Sequence, residues 1–435
     1  MTHLHPFTDP VDVQTNRPTV MVEGDGCAVI DDAGNRYIDA ASALWCASLG
    51  FSHQRLIDAA TAQMQQLPYY HNFMGRVAEP TERLADMIVE KLPDGLNHVF
   101  FGCSGSEAVD TAIKLARFHQ IGRGLPEKRL ILAREEAYHG SGTMSAALSA
   151  ADYMHDGFDL PMDGVVRLAS THHRRHAEDG ESEVDFSARR AAELEATILE
   201  IGADKICAMI GEPVIGSGGA IIPPEGYWEE IQAVLRRHDI LLIADEIITG
   251  FGRTGEWFAC QTYRIQPDLL TMAKQLSGAY FPISGVAVHD HVHEVISAHA
   301  HELGTLGHGF TYGGHPVGAA VAMEAIRIYE EMDLPNHVKT LGTQLAERLR
   351  PLQSHPSVAE VRQVGLLAAI EFVPTGEPGD AAGAVRTEAE ARGVIFRPIG
   401  DTLAIAPPYV ITPAELDHVM DVMAASIEAT IGASS

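Results

Sequence analysis

The sequence predicts an α/β protein built on a mostly parallel β-sheet with helices on both faces. Two observations carry this. Short runs such as Ile206-Cys-Ala-Met-Ile210 and Ile240-Leu-Leu-Ile-Ala244 are apolar at every position, which is the pattern of strands buried on both sides. These runs alternate along the chain with stretches of helical period, the order that produces parallel pairs joined by crossover helices.

The elements follow in order. Val99-Phe-Phe101 reads as a strand running into the turn Gly102-Cys-Ser-Gly-Ser106, with a helix from Glu107 to about His119. Leu130-Ile-Leu-Ala133 is the next strand. Residues 171–185 are polar and broken by glycine, and read as a surface loop. A helix rich in Ala, Leu and Glu (Arg190–Ile201) leads into the strand at 206–210, and the amphipathic Tyr227–His238 leads into the strand at 240–244. After about residue 320 the pattern changes to long Ala-rich helices with fewer strands, interrupted at Pro374–Gly379, which predicts a second domain. The chain has no internal repeat.

Composition excludes several classes. A chain of 435 residues, 46% hydrophobic, buries a large core, so neither disorder nor a disulfide-stapled mini-fold is expected. The net charge of −28 repels phosphate backbones and anionic lipid, which argues against nucleic acid or a membrane as partner. The five cysteines (Cys27, Cys46, Cys103, Cys207 and Cys260) are odd in number and contain no C-x-x-C, so a reducing cytoplasm is the expected compartment. The N-terminal residues lack the basic-then-apolar pattern of a secretory signal, and no apolar stretch reaches the roughly 18 residues of a membrane span.

Three places carry candidate chemistry. At Phe101-Gly-Cys-Ser-Gly-Ser-Glu-Ala108 a strand, a small-residue turn and a helix start follow one another. That arrangement suits a phosphate at the helix N-terminus, and equally a simple cap by Ser104 or Ser106. Asp245 and Glu246 follow a buried strand, at the sheet edge where open α/β proteins bind ligands. Lys274 lies in the apolar run Leu269-Leu-Thr-Met-Ala-Lys. Most such lysines snorkel to the surface, but a desolvated one has a lowered pKa and condenses with carbonyl compounds. Gly250-Phe-Gly-Arg-Thr-Gly255 matches a dinucleotide fingerprint but precedes a poor helix start. The histidine groups (His172, His173, His176; His291, His293; His299, His301) lack metal-binding spacing and read as solvated residues, so no metal is expected.

Together these pieces resemble the class III pyridoxal-phosphate (PLP) aminotransferases of fold type I, most closely the ω-amine:pyruvate transaminases. The matching motifs span nearly the whole chain: Leu4-His-Pro-Phe-Thr8, Leu44-Trp-Cys46, Ser104-Gly-Ser-Glu-Ala108, Tyr138-His-Gly140, Tyr153-Met-His155, Gly211-Glu-Pro213, Ala244-Asp-Glu-Ile247, Ala273-Lys274, His308-Gly-Phe-Thr311, Gly314-His-Pro316, and Arg397 with Gly400-Asp-Thr402 and Pro407-Pro408. The resemblance implies a large domain with a mostly parallel seven-stranded sheet (51–320), and a smaller α+β domain drawn from both termini (1–50 and 321–435). It implies a homodimer with shared sites, or a tetramer of such pairs.

The resemblance also implies residue roles. Lys274 binds PLP as a Schiff base, then serves as the proton-transfer base and acid. Asp245 pairs with the pyridine nitrogen and keeps it protonated, which makes the ring an electron sink. Tyr138 stacks on one face of the ring with His139 beside it, and Ile247 packs the other. Ser104, Gly105 and Ser106 hold the phosphate, joined by Thr311 from a neighbouring subunit. Glu212 lies near the cofactor's 3-hydroxyl side. Arg397 receives the carboxylate of pyruvate or an amino acid and swings outward for donors without one. Trp45, Phe73, Tyr153 and Phe310 wall the substrate pockets, and Phe7 closes their mouth. The implied reaction moves an amino group from a primary amine or ω-amino acid to pyruvate, in ping-pong order through pyridoxamine phosphate. The rivals are other class III chemistries (a 2-oxoglutarate-dependent aminotransferase, an aminomutase or a decarboxylase) and, further off, a nicotinamide-dependent dehydrogenase. Gln275, Cys103, Gly313 and Met74 depart from the residues common in relatives and bear on donor preference.

Overall fold

The computed structural model describes residues 3–432. At its centre is a seven-stranded sheet whose spatial order is Leu96–Gly102, Ser284–His289, Leu269–Met272, Leu241–Asp245, Ile206–Gly211, Leu130–Arg134 and Val165–Leu168. Ser284–His289 runs antiparallel to both neighbours, and every other pair in the sheet shares one direction. The strands Ile206–Gly211, Leu241–Asp245 and Leu269–Met272 are buried at every position. Their unbroken apolar runs are the consequence of helices on both faces, including Gly105–Gly122 and Tyr227–Arg237. Ile243 in the central strand is fully buried. Ile243→Ala is expected to lower stability by about 2–5 kcal/mol through lost burial and the cavity left behind, read as a shift of the denaturation midpoint.

Two smaller sheets complete the architecture. Met21–Asp25, Ala28–Asp31 and Arg36–Asp39 form antiparallel hairpins, and Val394–Ile395 adds in parallel, with Val394 opposite Ile38. Val358–Val364, Leu367–Phe372, Thr402–Ile405 and Arg397–Ile399 form an antiparallel four-stranded sheet. The last third thus contains more strand than its sequence predicts. Leu367-Ala-Ala-Ile-Glu-Phe372 is half alanine and glutamate, poor strand formers, and tertiary packing overrides the propensity.

The predicted loop 171–185 also needs correction. It contains a helical turn, His173–His176, and ends in the long helix Glu183–Ile201. His172 is buried, against the expectation of a solvated residue. Its Nε2 lies 3.2 Å from Glu360 and 2.9 Å from Arg362 Nη1, which also bonds Glu371 at 2.6 Å. These partners come from the distant strands Val358–Val364 and Leu367–Phe372, so nothing local in the sequence marks the burial. His172, Glu360 and Glu371 are close enough to share a cation, and the Arg362 guanidinium occupies that role. Among the described residues, no helix is long and apolar enough to cross a membrane.

Candidate active site

The sheet's carboxyl edge collects the residues that the motifs single out. Asp245 ends its strand directly opposite Thr271 of the neighbouring parallel strand. Lys274 lies three residues beyond Thr271, so the acid and the amine rise from adjacent strand ends. Lys274 has φ 45°, a left-handed value for a residue with a Cβ, and opens a 3₁₀ turn. Such backbone strain persists where the surroundings over-determine it, as they do at functional sites.

The lysine is set among protein on most sides, with its Nζ 5.5 Å from the Trp45 ring centroid. Burial pulls its pKa from 10.5 to about 8, against the opposing pull of Cys46, Asp245 and Glu212, while Arg397 lowers it further. A neutral amine is therefore accessible near physiological pH.

Asp245 is buried, and its carboxylate is fixed from three directions. Oδ2 is 2.7 Å from His139 Nδ1, while Oδ1 accepts from Thr271 Oγ1 at 3.1 Å and from the Ile247 N–H at 3.2 Å. A carboxylate only accepts, so His139 carries its proton on Nδ1. His139 is fastened in turn by its own N–H, which donates to Ser149 Oγ at 2.8 Å. Glu212 extends the strand Ile206–Gly211 and accepts from the N–H groups of Tyr138 (3.0 Å) and Gly216 (2.8 Å). Its burial raises its pKa, with His139 opposing and Asp245 reinforcing the rise.

The turn after Leu96–Gly102 begins the helix Gly105–Gly122 with a capping box. The Ser104 side chain accepts from the Glu107 N–H at 3.2 Å, and Glu107 reaches back to the Ser104 N–H at 3.2 Å. The capped-turn reading thus holds for Ser104. Ser106 Oγ accepts from the Ser141 N–H at 2.9 Å, which joins this turn to the Tyr138-His-Gly140 segment. A Cβ on Gly105 would fall 2.9 Å from Ile247 Cδ1, and one on Gly140 would fall 2.5 Å from Ser106 Oγ. Gly140, with φ 130° and the Ser106 backbone at 3.0 Å, is required by close approach, while a side chain at Gly105 would displace the end of Ile247. Tyr138, Ile247 and the turn thereby line one cradle.

Arg397 leans into the same cleft. Its Cζ lies 4.7 Å over the Trp45 ring, and Tyr138 and Tyr153 are the tyrosines that act on its charge. Tyr153 is exposed at the rim, with Phe7 packed edge-on at 6.1 Å. The other predicted wall residues, Phe73 and Phe310, make their contacts with the segment 308–310. A Cβ on Gly309 would fall 2.8 Å from Phe73 Cζ, and Phe310 packs on His308 at 5.1 Å. Thr311 is exposed there too, its carbonyl accepting from Tyr69 OH at 2.7 Å. The residues read as one set of walls therefore form two groups in the single chain.

Sequence reasoning missed several contributors. Arg134 is buried at the end of Leu130–Arg134, where Nη2 donates to the Glu212 carbonyl at 2.5 Å and Cζ stands 5.1 Å from the Trp228 ring. A cation ending an apolar run was the available signal. Thr271, Ser141 and Ser149 had none, because each acts through a partner from another segment; Cys46 stands in the motif Leu44-Trp-Cys46, but nothing local marks its approach to Lys274. Gln275 is buried and its amide donates to the Ile248 carbonyl at 2.9 Å, so this departure bears on the framework behind the lysine.

The donor set fits PLP. An amine of lowered pKa, a fixed buried carboxylate, an aromatic ring and a glycine-lined turn at a helix start face one cleft. His139 Nε2, Trp45 Nε1 and Arg397 Nε are buried there without a hydrogen-bond partner.

Comparison with known proteins agrees. The family model described as aminotransferase class-III matches residues 11–427. The chain is 43% identical to an uncharacterised aminotransferase of Sinorhizobium fredii, over 96% of this chain and 92% of that protein. It is 40% identical to gamma-aminobutyrate transaminase 1, mitochondrial, of Oryza sativa subsp. japonica, over 98% of this chain and 84% of that protein. The crystal structure of the omega transaminase from Pseudomonas jessenii in complex with PMP superposes with a TM-score of 0.97 at 42% identity, covering 98% of this chain and 96% of that one. With its central sheet, its lysine and aspartate on adjacent strand ends and these likenesses, the chain belongs to the class III aminotransferases, enzymes of fold type I that use pyridoxal 5'-phosphate.

Proposed function

We propose that this enzyme moves an amino group from a primary amine or an ω-amino acid to pyruvate, in two half-reactions of ping-pong order. The observation that carries this reading is the seating of Arg397. Its guanidinium lies on the Trp45 face in the same cleft as Lys274, and its Nε has no hydrogen-bond partner. A planar fork of donors suits the carboxylate of a small oxo acid. For a donor without a carboxylate the guanidinium swings outward from the indole, which leaves an apolar wall.

Bound PLP supplies the electron sink for the carbanion. The chain supplies the rest. Asp245, held by His139, Thr271 and Ile247, keeps a negative charge fixed where a ring N–H is to be retained. Lys274, with a pKa near 8, takes up and returns a proton at Nζ. Glu212 and Arg134 brace the segment carrying Tyr138. Ser106 and Gly105 bind the phosphate from the turn. Phe73, Phe310 and Thr311 serve the site of a second copy, which makes the working unit a homodimer. Support for that assignment is the exposure of Phe73 and Thr311 in a single chain, with Phe310 half-buried against His308.

The likeness to gamma-aminobutyrate transaminases favours a second reading on the donor side, in which an ω-amino acid presents its distal carboxylate to Arg397. A panel of amines and ω-amino acids against pyruvate, glyoxylate and 2-oxoglutarate separates the two. Arg397→Ala is expected to weaken use of pyruvate by the worth of a charge-assisted pair, about 1.5–3 kcal/mol or roughly 10- to 150-fold in kcat/KM. A neutral aryl-alkyl amine should be nearly unaffected. Equal losses for both would remove the selective role.

A further inference from the structure

The opposite edge of the central sheet carries a second cluster. His289 ends the antiparallel strand opposite Leu96 and is the N-cap of the helix Asp290–Leu303. Its ring lies against Gly95, where a Cβ would fall 2.1 Å from Nε2. His291 is fixed from the other side. Its Nε2 is 3.0 Å from Asp268 Oδ1, and Asp268 Oδ2 accepts the Leu242 N–H at 2.6 Å. The two rings consequently face each other with Nδ1 to Nδ1 at 2.8 Å, and the His291 side chain is 50% exposed.

The proton positions follow from the acceptors. Asp268 accepts, so Nε2 of His291 carries a proton and neutral His291 offers the Nδ1 lone pair outward. A carboxylate behind one imidazole nitrogen, with the other nitrogen free for an ion, is the outer-shell arrangement that orients metal-binding histidines. Two nitrogens at metal distances of about 2.0–2.1 Å in a tetrahedron stand roughly 3.3 Å apart. The gap therefore needs only to widen by a fraction of an ångström, through the exposed His291 ring. His289 Nδ1 also lies 3.5 Å from the His291 N–H, a long cap contact that an ion would replace.

We propose that His289 and His291 form a surface site for a borderline divalent transition ion (Cu(II), Ni(II) or Zn(II)), with Asp268 as the orienting carboxylate and water completing the coordination. Imidazole pairs select these ions over magnesium or calcium. The helix N-terminus and the guanidinium of Arg123 oppose a cation, and Asp268 and Glu294 counter them. Asp290 is held nearby by His98 at 3.1 Å, which itself stacks on His293 at 3.4 Å. The site lies at the amino ends of the parallel strands, across the sheet from Lys274, and serves a purpose separate from amino transfer.

The test titrates Cu(II) and Ni(II) into PLP-loaded enzyme, with calorimetry for stoichiometry and paramagnetic resonance for the number of nitrogen ligands. Because the chain has 22 histidines, the reading is the difference between variants. His291→Gln is expected to lose one equivalent and the two-nitrogen signature while keeping transaminase activity, and His289→Gln provides the same test should the first fail to fold. Asp268→Asn is expected to turn its amide NH₂ toward His291, move the ring proton to Nδ1 and weaken binding by roughly 10- to 100-fold. Wild-type enzyme with no saturable equivalent, or glutamine variants that bind as many ions as tightly as wild type, would overturn the site. Unchanged affinity in Asp268→Asn would overturn the orienting carboxylate.

Discussion

Lys274→Ala yields a folded chain that retains no covalently trapped cofactor after borohydride reduction and no measurable transaminase activity. Proton transfer by a positioned side chain is worth about 10²–10⁴-fold, and the variant loses the covalent link in addition. The stability of the cofactor-free protein supplies an independent check with a definite sign. In the folded chain the ammonium loses its proton near pH 8, against 10.5 for an ordinary lysine. Between those values the unfolded chain binds more protons, so this group makes stability rise with pH. Below pH 8 the buried ammonium opposes folding in full. The stability of cofactor-free Lys274→Ala relative to the parent should therefore fall as pH rises from about 8 to 10.5. An alanine variant that traps cofactor at full yield would defeat the assignment, and a constant stability difference across that window would contradict the lowered pKa.

Asp245→Asn is the second large effect. The substitution keeps size and removes charge, so the loss measures electrostatics. A preorganised charge of this kind is worth about 3–5 kcal/mol, roughly two to nearly four orders of magnitude in rate. The hydrogen bonds predict a further change. Thr271 Oγ1 and the Ile247 N–H both donate to Oδ1, so the asparagine carbonyl must stay on their side and its NH₂ must face His139. That amide donates where the carboxylate accepted, so His139 exchanges tautomer and carries its proton on Nε2. Imidazole nitrogen chemical shifts report the exchange directly. A near-normal rate would make Asp245 structural only, and an unchanged tautomer would contradict the bonding described.

The strands at 206–210 and 240–244 were legible because a two-sided burial writes itself as an unbroken apolar run. The strand Leu367–Phe372 of the antiparallel sheet was not, since alanine is a poor strand former and only the packed sheet places it. The site divides the same way. Taken alone, Lys274 reads as a snorkelling side chain and the Ser104 turn as a plain cap. The order of turn, aromatic, acid and lysine along the chain made the resemblance specific. What stayed hidden depends on contacts between distant segments: His172 meeting Arg362, Cys46 approaching Lys274, Arg134 bracing Glu212, and His289 brought against Gly95. No period or spacing encodes such meetings, because each side is unremarkable until the chain folds.

The parallel pairing of Val394 with Ile38 has a consequence for biosynthesis. The hairpins leave the ribosome well before the strand that covers their open margin, which lies more than 350 residues further along the chain. At roughly 5–20 residues per second, that margin waits about 20 to 70 seconds for its neighbour. During the interval it is a bare template for other chains, and closing so long a loop is slow. Nascent copies of this enzyme should therefore depend on chaperones most at their amino-terminal segment, until the carboxyl-terminal third emerges to shield it.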